Sequence, residues 1–368
     1  MGGLLTQLVT PVLWMQSNPS RVTLLVVNPQ PESVATCIVI DTNEWIRLKW
    51  LGSPIGLTFI SALRQNSAAV LAIPEVLELE LDKHRAEAAA SLLDKLIAST
   101  TEIGTVAGNS TAAGIVTLTA EDIEVAIRRR QTSLKGQIIY PPMEMGEVKR
   151  ALVRVNAETP PNGPKNQQMK DSLLWEACIT LADRYKVLFV TGDNGFYKDR
   201  QPKKGLAANL AAETSVTVGR LLVFETLEEA MRSFAPASSV PVDSSEVAGI
   251  DFEGLVAKQA QEALERSEII TILGRVKFRG VVPSYFKTET PHAFAVSFSA
   301  FFYADRDANS VLSGEVVVKG ESRLDTRTGT IEPISLKGIY LRTRSMFGDA
   351  WVEADDVLEK ADSFIRAN

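Results

Sequence analysis

Histidine and cysteine are almost absent: two of each in 368 residues. A structural zinc site needs about four Cys or His ligands. His84, His292, Cys37 and Cys178 are too scattered to form a recognisable ligand motif, so zinc fingers, zinc hydrolases and iron–sulfur centres are excluded. A Ser-His-Asp or Cys-His arrangement would have to recruit one of two histidines in unremarkable surroundings. No run of about 18 apolar residues occurs, so no membrane span is expected. The apolar Met1–Met15 stretch lacks a basic leader and is interrupted by Pro11, which reads as a packing extension rather than a signal peptide. Few cysteines and no secretory leader point to a reducing, cytoplasmic compartment. If the chain is an enzyme, carboxylates with a hard cation are the economical chemistry.

Positive charge is also scarce, but unevenly. The net charge is −6, yet Thr119–Lys204 holds 15 Lys and Arg against 11 Asp and Glu, which leaves the remainder about ten negative. A locally basic segment thus sits in an acidic protein, a pattern unlike a whole surface built for a polyanion.

What is present suggests two domains. Thr36–Ile40, Val70–Ile73 and Val187–Thr191 are short, apolar and β-branched, as buried parallel strands are, and a fourth strand is expected at Val216–Phe224. Helices are predicted at Pro74–Ala98, Glu121–Gln131, Met143–Asn156, Asp171–Tyr185 and Leu206–Glu213. Strands alternating with helices predict an α/β doubly wound, mainly parallel sheet. The expected division is an N-terminal extension (1–35), the α/β domain (36–234), a Pro/Ser-rich linker (235–248) and a smaller α+β domain (249–368). The last starts with a helix, Phe252–Arg266, capped by Asp251. Its antiparallel strands are predicted at Ile269–Phe278, Val311–Gly320, Ile331–Leu341 and, most clearly, Phe294–Phe302, apolar at every second position.

In open parallel sheets, ligands bind beyond the carboxyl ends of the strands. Two predicted strands deliver an aspartate there: Ile38-Val39-Ile40 runs into Asp41-Thr42-Asn43, and Leu188-Phe189-Val190 into Thr191-Gly192-Asp193-Asn194. Two helices can add acids, through Glu75, Glu78 or Glu80 on one and Asp171 in the first turn of another. Glu78 and Glu80 project about 200° apart, so only one can face Asp41. Glu80 lies nearer the edge of the apolar stripe Leu77–Leu81–Ala88–Leu92.

In this order the residues resemble the PIN-domain family of metal-dependent nucleases. The resemblance runs from Thr36 to Phe234; the C-terminal domain resembles no recognised family. It implies a Mg²⁺- or Mn²⁺-dependent endoribonuclease acting on single-stranded RNA, with Asp41, Glu80, Asp171 and Asp193 as catalytic metal ligands. Asn43, Thr191 and Asn194 would orient ligands or a phosphate, and Lys165, Lys170 and Lys198 would hold RNA. Arg128–Arg130, Lys149–Arg150, Arg200 and Lys203–Lys204 add cationic grip, while Trp45, Tyr197 and Phe196 are candidates to stack on a base, Phe196 being equally a candidate for the core. Thr159–Gln168, beside Asp171, is either a substrate gate or a plain connection. Two alternatives stand beside this: a PIN-like binding or scaffold module without turnover, and a nuclease for structured DNA. Such proteins serve as toxins, in RNA processing or in defence. The C-terminal domain leaves open substrate selection, self-association, a partner of its own or sensing of a small ligand.

Overall fold

The computed structural model describes residues 34–108, 118–163, 167–235, 249–267, 269, 273, 276–304, 312–345 and 348–354. Lys165 and most of the predicted linker lie outside this set, as does the N-terminal extension up to residue 33. Among the described residues no helix is long and apolar enough to cross a membrane.

The first half is a five-stranded parallel sheet. Its strands are β1 (Thr36–Ile40), β2 (Ala69–Ala72), β3 (Ile138–Ile139), β4 (Lys186–Val190) and β5 (Leu221–Phe224), in the order β3-β2-β1-β4-β5. β1 and β4 are central and buried along nearly their whole length, which explains why they are apolar rather than alternating. Chain order reverses between β1 and β4. The crevice at their carboxyl ends is the topological switch point of the sheet.

Eight helices flank this sheet: α1 (Thr42–Arg47), α2 (Pro54–Gln65), α3 (Glu75–Val106), α4 (Ala120–Thr132), α5 (Met145–Asn156), α6 (Met169–Ala182), α7 (Ala208–Val216) and α8 (Leu227–Phe234). Local chemistry sets their ends. Ser53 Oγ accepts the Gly56 N–H at 3.2 Å ahead of Pro54 in the first turn of α2, and a capping box of Thr119 and Asp122 starts α4. The predicted fourth strand is shorter than expected. α7 runs on through Val216, and Val218 and Gly219 take positive φ to turn the chain into β5.

The second half is antiparallel, as its alternating pattern predicts. Helix α9 (Phe252–Arg266) begins at Asp251, whose Oδ1 accepts the Gly254 N–H at 2.8 Å. Strands β6 (Val276–Lys287), β7 (Ala293–Ala304), β8 (Leu312–Asp325), β9 (Thr330–Ile331), β10 (Ser335–Ser345) and β11 (Gly348–Glu353) form a six-stranded sheet. The predicted strand Ile269–Phe278 is corrected: Ile269 and Leu273 are helical, and the strand starts at Val276.

The two sheets meet across α2. Phe286 and Ala295 of the antiparallel sheet belong to the core of the parallel one. This explains why β7 alternates cleanly only in its later half, where Phe301 and Tyr303 face outward; its first four residues are buried on both faces. Polar contacts bind the same junction. Lys337 on β10 pairs with Glu228 on α8 and with Glu321 on β8 at 2.8 Å, while Glu321 Oε2 accepts the Ile55 N–H of α2 at 2.8 Å.

Candidate active site

Asp41 directly follows β1, and its own N–H donates to the Val190 carbonyl at the end of β4 at 2.9 Å. That bond ties together the two strand ends carrying the acids. Thr191, the residue after β4, is fully buried and completes the link: its hydroxyl donates to Asp41 Oδ2 at 2.7 Å and accepts the Asp193 N–H at 3.1 Å. Asp193 Oδ1 in turn accepts the Gly195 N–H at 2.6 Å, which starts a short 3-10 turn, Asn194–Phe196.

Glu80 comes in from the second turn of α3. Its Oε2 accepts the Thr42 hydroxyl at 2.9 Å, and its Oε1 takes Lys170 Nζ at 3.0 Å. Glu78 is exposed on another face of the helix. Asp171 stands in the first turn of α6, half-buried. An aromatic cluster fixes α6 against β4 and the following turn: Phe189 and Phe196 lie 5.3 Å apart, and Trp175 packs 6.0 Å from Phe196. Core packing therefore sets the separation of the first turn of α6, which carries Asp171, from the turn that carries Asp193.

The four acids feel one another. Burial first, then the Asp193 and Glu80 charges, push Asp41 up to about 6, although the Thr191 hydrogen bond pulls the other way. Burial, with Asp41, Asp193 and Glu80 adding to it, raises Asp171 to about 8. Nearby Glu44, buried in α1, is raised to about 7 by burial despite its ion pair with Arg47 at 3.1 Å.

These shifts have a consequence for stability. A carboxyl whose folded pKa lies above its unfolded value of about 4 favours folding while protonated, and that contribution is lost as pH rises through the folded pKa. In chelator, the protein is therefore expected to melt at falling temperature from pH 5 to pH 8, through Asp41 near 6 and Asp171 near 8. Asp171→Asn should flatten the upper part of this decline and raise the melting temperature at pH 8 by at least about 2 °C, the scale of about 1 kcal/mol in a domain of this size. A melting temperature that climbs across the window in calorimetry would contradict the electrostatic picture.

The donor set suits a hard divalent cation by kind: carboxylate oxygens whose mutual repulsion the Lys170 ammonium on Glu80 relieves only in part. One more oxygen points the same way. Gln168 Oε1, just ahead of α6, is buried and has no hydrogen-bond partner, and a Cβ at Gly195 would meet it, Asp193 Oδ1 and the Pro161 carbonyl at 2.8–3.0 Å. Gly195 thus lets three oxygens crowd one point. Among the described residues, however, no three His, Cys, Asp or Glu groups are already arranged to hold a metal ion.

The other expected site residues divide. Asn43, Asn194 and Lys198 are exposed, Thr191 is the bridge described above, and Lys165 lies outside the described residues. Lys170 is engaged with Glu80. Trp45 and Tyr197 are buried and do not stack on a base; instead the Tyr197 hydroxyl donates to the Thr191 carbonyl at 2.6 Å and steadies the bridge. Arg150 is spoken for as well, since it and Arg154 both bind the buried Glu176 of α6. Arg128 lies 4.0 Å from Glu124 and 3.9 Å from Asp82. In the connection to α6, Asn162 accepts the Gln168 N–H at 2.7 Å and donates to Ser172 Oγ at 2.8 Å, closing the chain onto the helix. The sequence reading gives no role to Thr42, whose adjacency to Asp41 is the only signal, and misses the roles of Tyr197 and Gln168, which it places as a base-stacking candidate and as the end of a loop.

No curated protein and no solved structure matches the chain. A family model does: residues 38–196, which span all four acids, match the PIN domain. With β3-β2-β1-β4-β5 parallel order and acids at the switch point, the parallel-sheet half of this chain carries a PIN domain, a fold of the nuclease family.

Proposed function

We propose that the chain is an endoribonuclease dependent on Mg²⁺ or Mn²⁺ that hydrolyses phosphodiester bonds in single-stranded RNA. One observation carries the reading: the Thr191 hydroxyl joins the Asp41 carboxylate to the Asp193 backbone N–H across the switch point, and the Asp193 charge helps raise Asp41, so the two strand-end acids share an electrostatic cost. Proteins keep such unrelieved acidic clusters at sites that receive a cation or move a proton.

Asp41 and Asp193 would hold the cation, with Glu80 and Asp171 either binding a second one or orienting its water. When bound, the ion polarises a phosphodiester and lowers the pKa of a coordinated water. The chain's own residues prepare for this. Thr191 keeps one Asp41 oxygen engaged and so fixes the carboxylate plane, and Thr42 does the same for Glu80. Asp171, raised to about 8, keeps its proton at neutral pH and releases it as positive charge arrives. Lys198, Asn43 and Asn194 are exposed and would meet phosphate or base edges.

A second reading has one observation in its favour. The Lys170 ammonium already sits on Glu80, as it would in a module that binds nucleic acid without cutting it. Incubating the full chain with end-labelled single-stranded RNA in EDTA, Mg²⁺, Mn²⁺ or Ca²⁺ separates the two. The nuclease reading expects internal cuts with Mg²⁺ or Mn²⁺ and none in EDTA. Retention of intact RNA under every condition would select the binding module, and cutting of structured DNA alone would replace the substrate.

A further inference from the structure

Away from the acid crevice, the junction of α2 with the antiparallel sheet encloses a half-open cavity of about 380 Å³. Its walls are α2, the C-terminal end of α4, the turn between β6 and β7, and β8. Arg64, Arg129, Arg130 and Arg323 line it, against one carboxylate, Glu289. Glu289 lies 3.8 Å from Arg64, and Arg323 lies 3.8 Å from Glu332, which is outside the cavity. Neither Arg129 nor Arg130 forms an ion pair among the described residues.

Arg130 is the informative member. Its guanidinium rests against Gly52, where a Cβ would come within 2.9 Å of Arg130 Cζ, so the loop before α2 covers one side of it. Burial alone lowers its pKa; no nearby carboxylate restores it. A cation partly withdrawn from water without a counter-charge is costly, and an anion entering the cavity would offset that cost.

We propose that this cavity binds a small phosphate-bearing anion, gripped by Arg129 and Arg130 from the PIN half and by Arg323 from the antiparallel half. Three features select that chemistry. Guanidinium forks match phosphate oxygens two at a time. Four arginines against Glu289 in the wall and Glu332 just outside it leave an excess of two positive charges, which suits a dianion better than a monocarboxylate. The volume falls within the span of small-molecule pockets, and Leu57, Ile60 and Ala295 offer an apolar wall to an organic body. A long RNA fits less well. The next arginine along α4, Arg128, has Asp82 and Glu124 close by, and Glu289 stands in the wall, so the positive track does not continue. The ligand would bridge the two halves, making the antiparallel domain a sensor of a small phosphate.

Calorimetric titration of the full chain with inorganic pyrophosphate, inorganic phosphate and adenosine monophosphate, all in EDTA, tests this. Saturable binding of at least one is expected, weakened at least tenfold by Arg130→Gln and by Arg323→Gln and unchanged by Lys258→Gln on α9. Arg129→Gln, on an exposed side chain, should weaken binding without touching the fold. Absence of binding by all three anions, or equal affinity in all variants, overturns the proposal. So does a tenfold loss of single-stranded RNA affinity in the same variants while none of the three anions binds, since the cavity would then be an RNA contact.

Discussion

Asp41→Asn is expected to lower divalent-dependent RNA cleavage at least about a hundredfold, the scale seen when a group that stabilises developing charge is removed, and yet to leave the protein as stable as before or more so. The two halves of this expectation have one cause. Asp41 is 4% exposed and its carboxyl is pushed up to about 6, so the charge the site needs is one the fold bears at a cost. Asparagine still offers an oxygen to the Thr191 hydroxyl, which keeps the bridge while removing the charge. Asp193→Asn should behave alike, because an amide oxygen can still accept the Gly195 N–H. Gel assays of cleavage beside thermal melts in chelator check both. Activity preserved in both variants would remove these acids from the chemistry, and activity lost only together with the fold would leave them as structural groups. A stability gain with activity loss is the signature of a group kept for function.

Lys337→Met is expected to be the most destabilising single change, at about 3–5 kcal/mol, the usual result of breaking a buried ion pair from one side. The ammonium is 13% exposed and sits between Glu228 and Glu321, which are more deeply buried still. Burial is the largest influence on Glu228 and would raise it, but the Lys337 charge together with hydrogen bonds from Lys337, the Glu228 backbone and Ser297 holds that carboxyl below its ordinary value. Burial raises Glu321, and Lys337 offsets only part of this. Removing the lysine strands two acids at the seam between the sheets, one of them carrying the first turn of α2 through the Ile55 N–H. Adding Glu228→Gln and Glu321→Gln to Lys337→Met should recover most of the loss, since both amides can still accept hydrogen bonds and neither is charged. Urea denaturation followed by intrinsic fluorescence measures all of these. A loss under 1 kcal/mol for Lys337→Met, or no recovery in the triple variant, would contradict the assignment of this cluster as the seam's electrostatic lock.

The strand-end aspartates were legible because each follows an uninterrupted apolar run, and a buried parallel strand leaves its next residue at the sheet's carboxyl edge. The choice between Glu78 and Glu80 rested on helical phase, and the structure puts the Thr42 hydroxyl on Glu80. Periodicity failed where both faces of an element are covered. α2 is apolar through most of its length and buries even Thr58 and Ser61, because the parallel sheet lies on one side and the antiparallel sheet on the other, so its buried face is wider than an apolar stripe marks out. β3 is two residues long and offers none either. Aromatic residues near the acids invited a base-stacking role that burial denies: Trp45 is core, and Tyr197 holds Thr191. The Lys337 cluster and the Arg129–Arg130–Arg323 cavity join residues roughly a hundred or more positions apart, which no local pattern encodes.

Calorimetric titration of Mn²⁺ into the metal-free chain is the decisive measurement of whether Asp41, Glu80, Asp171 and Asp193 form one cation site. At pH 7, in buffers of different ionisation heat, saturable binding is expected with release of protons, chiefly from Asp171. Binding should be at least tenfold weaker in Asp41→Asn and Asp193→Asn. Absence of saturable binding, or equal affinity in wild type and both variants, would rule out a shared cation site.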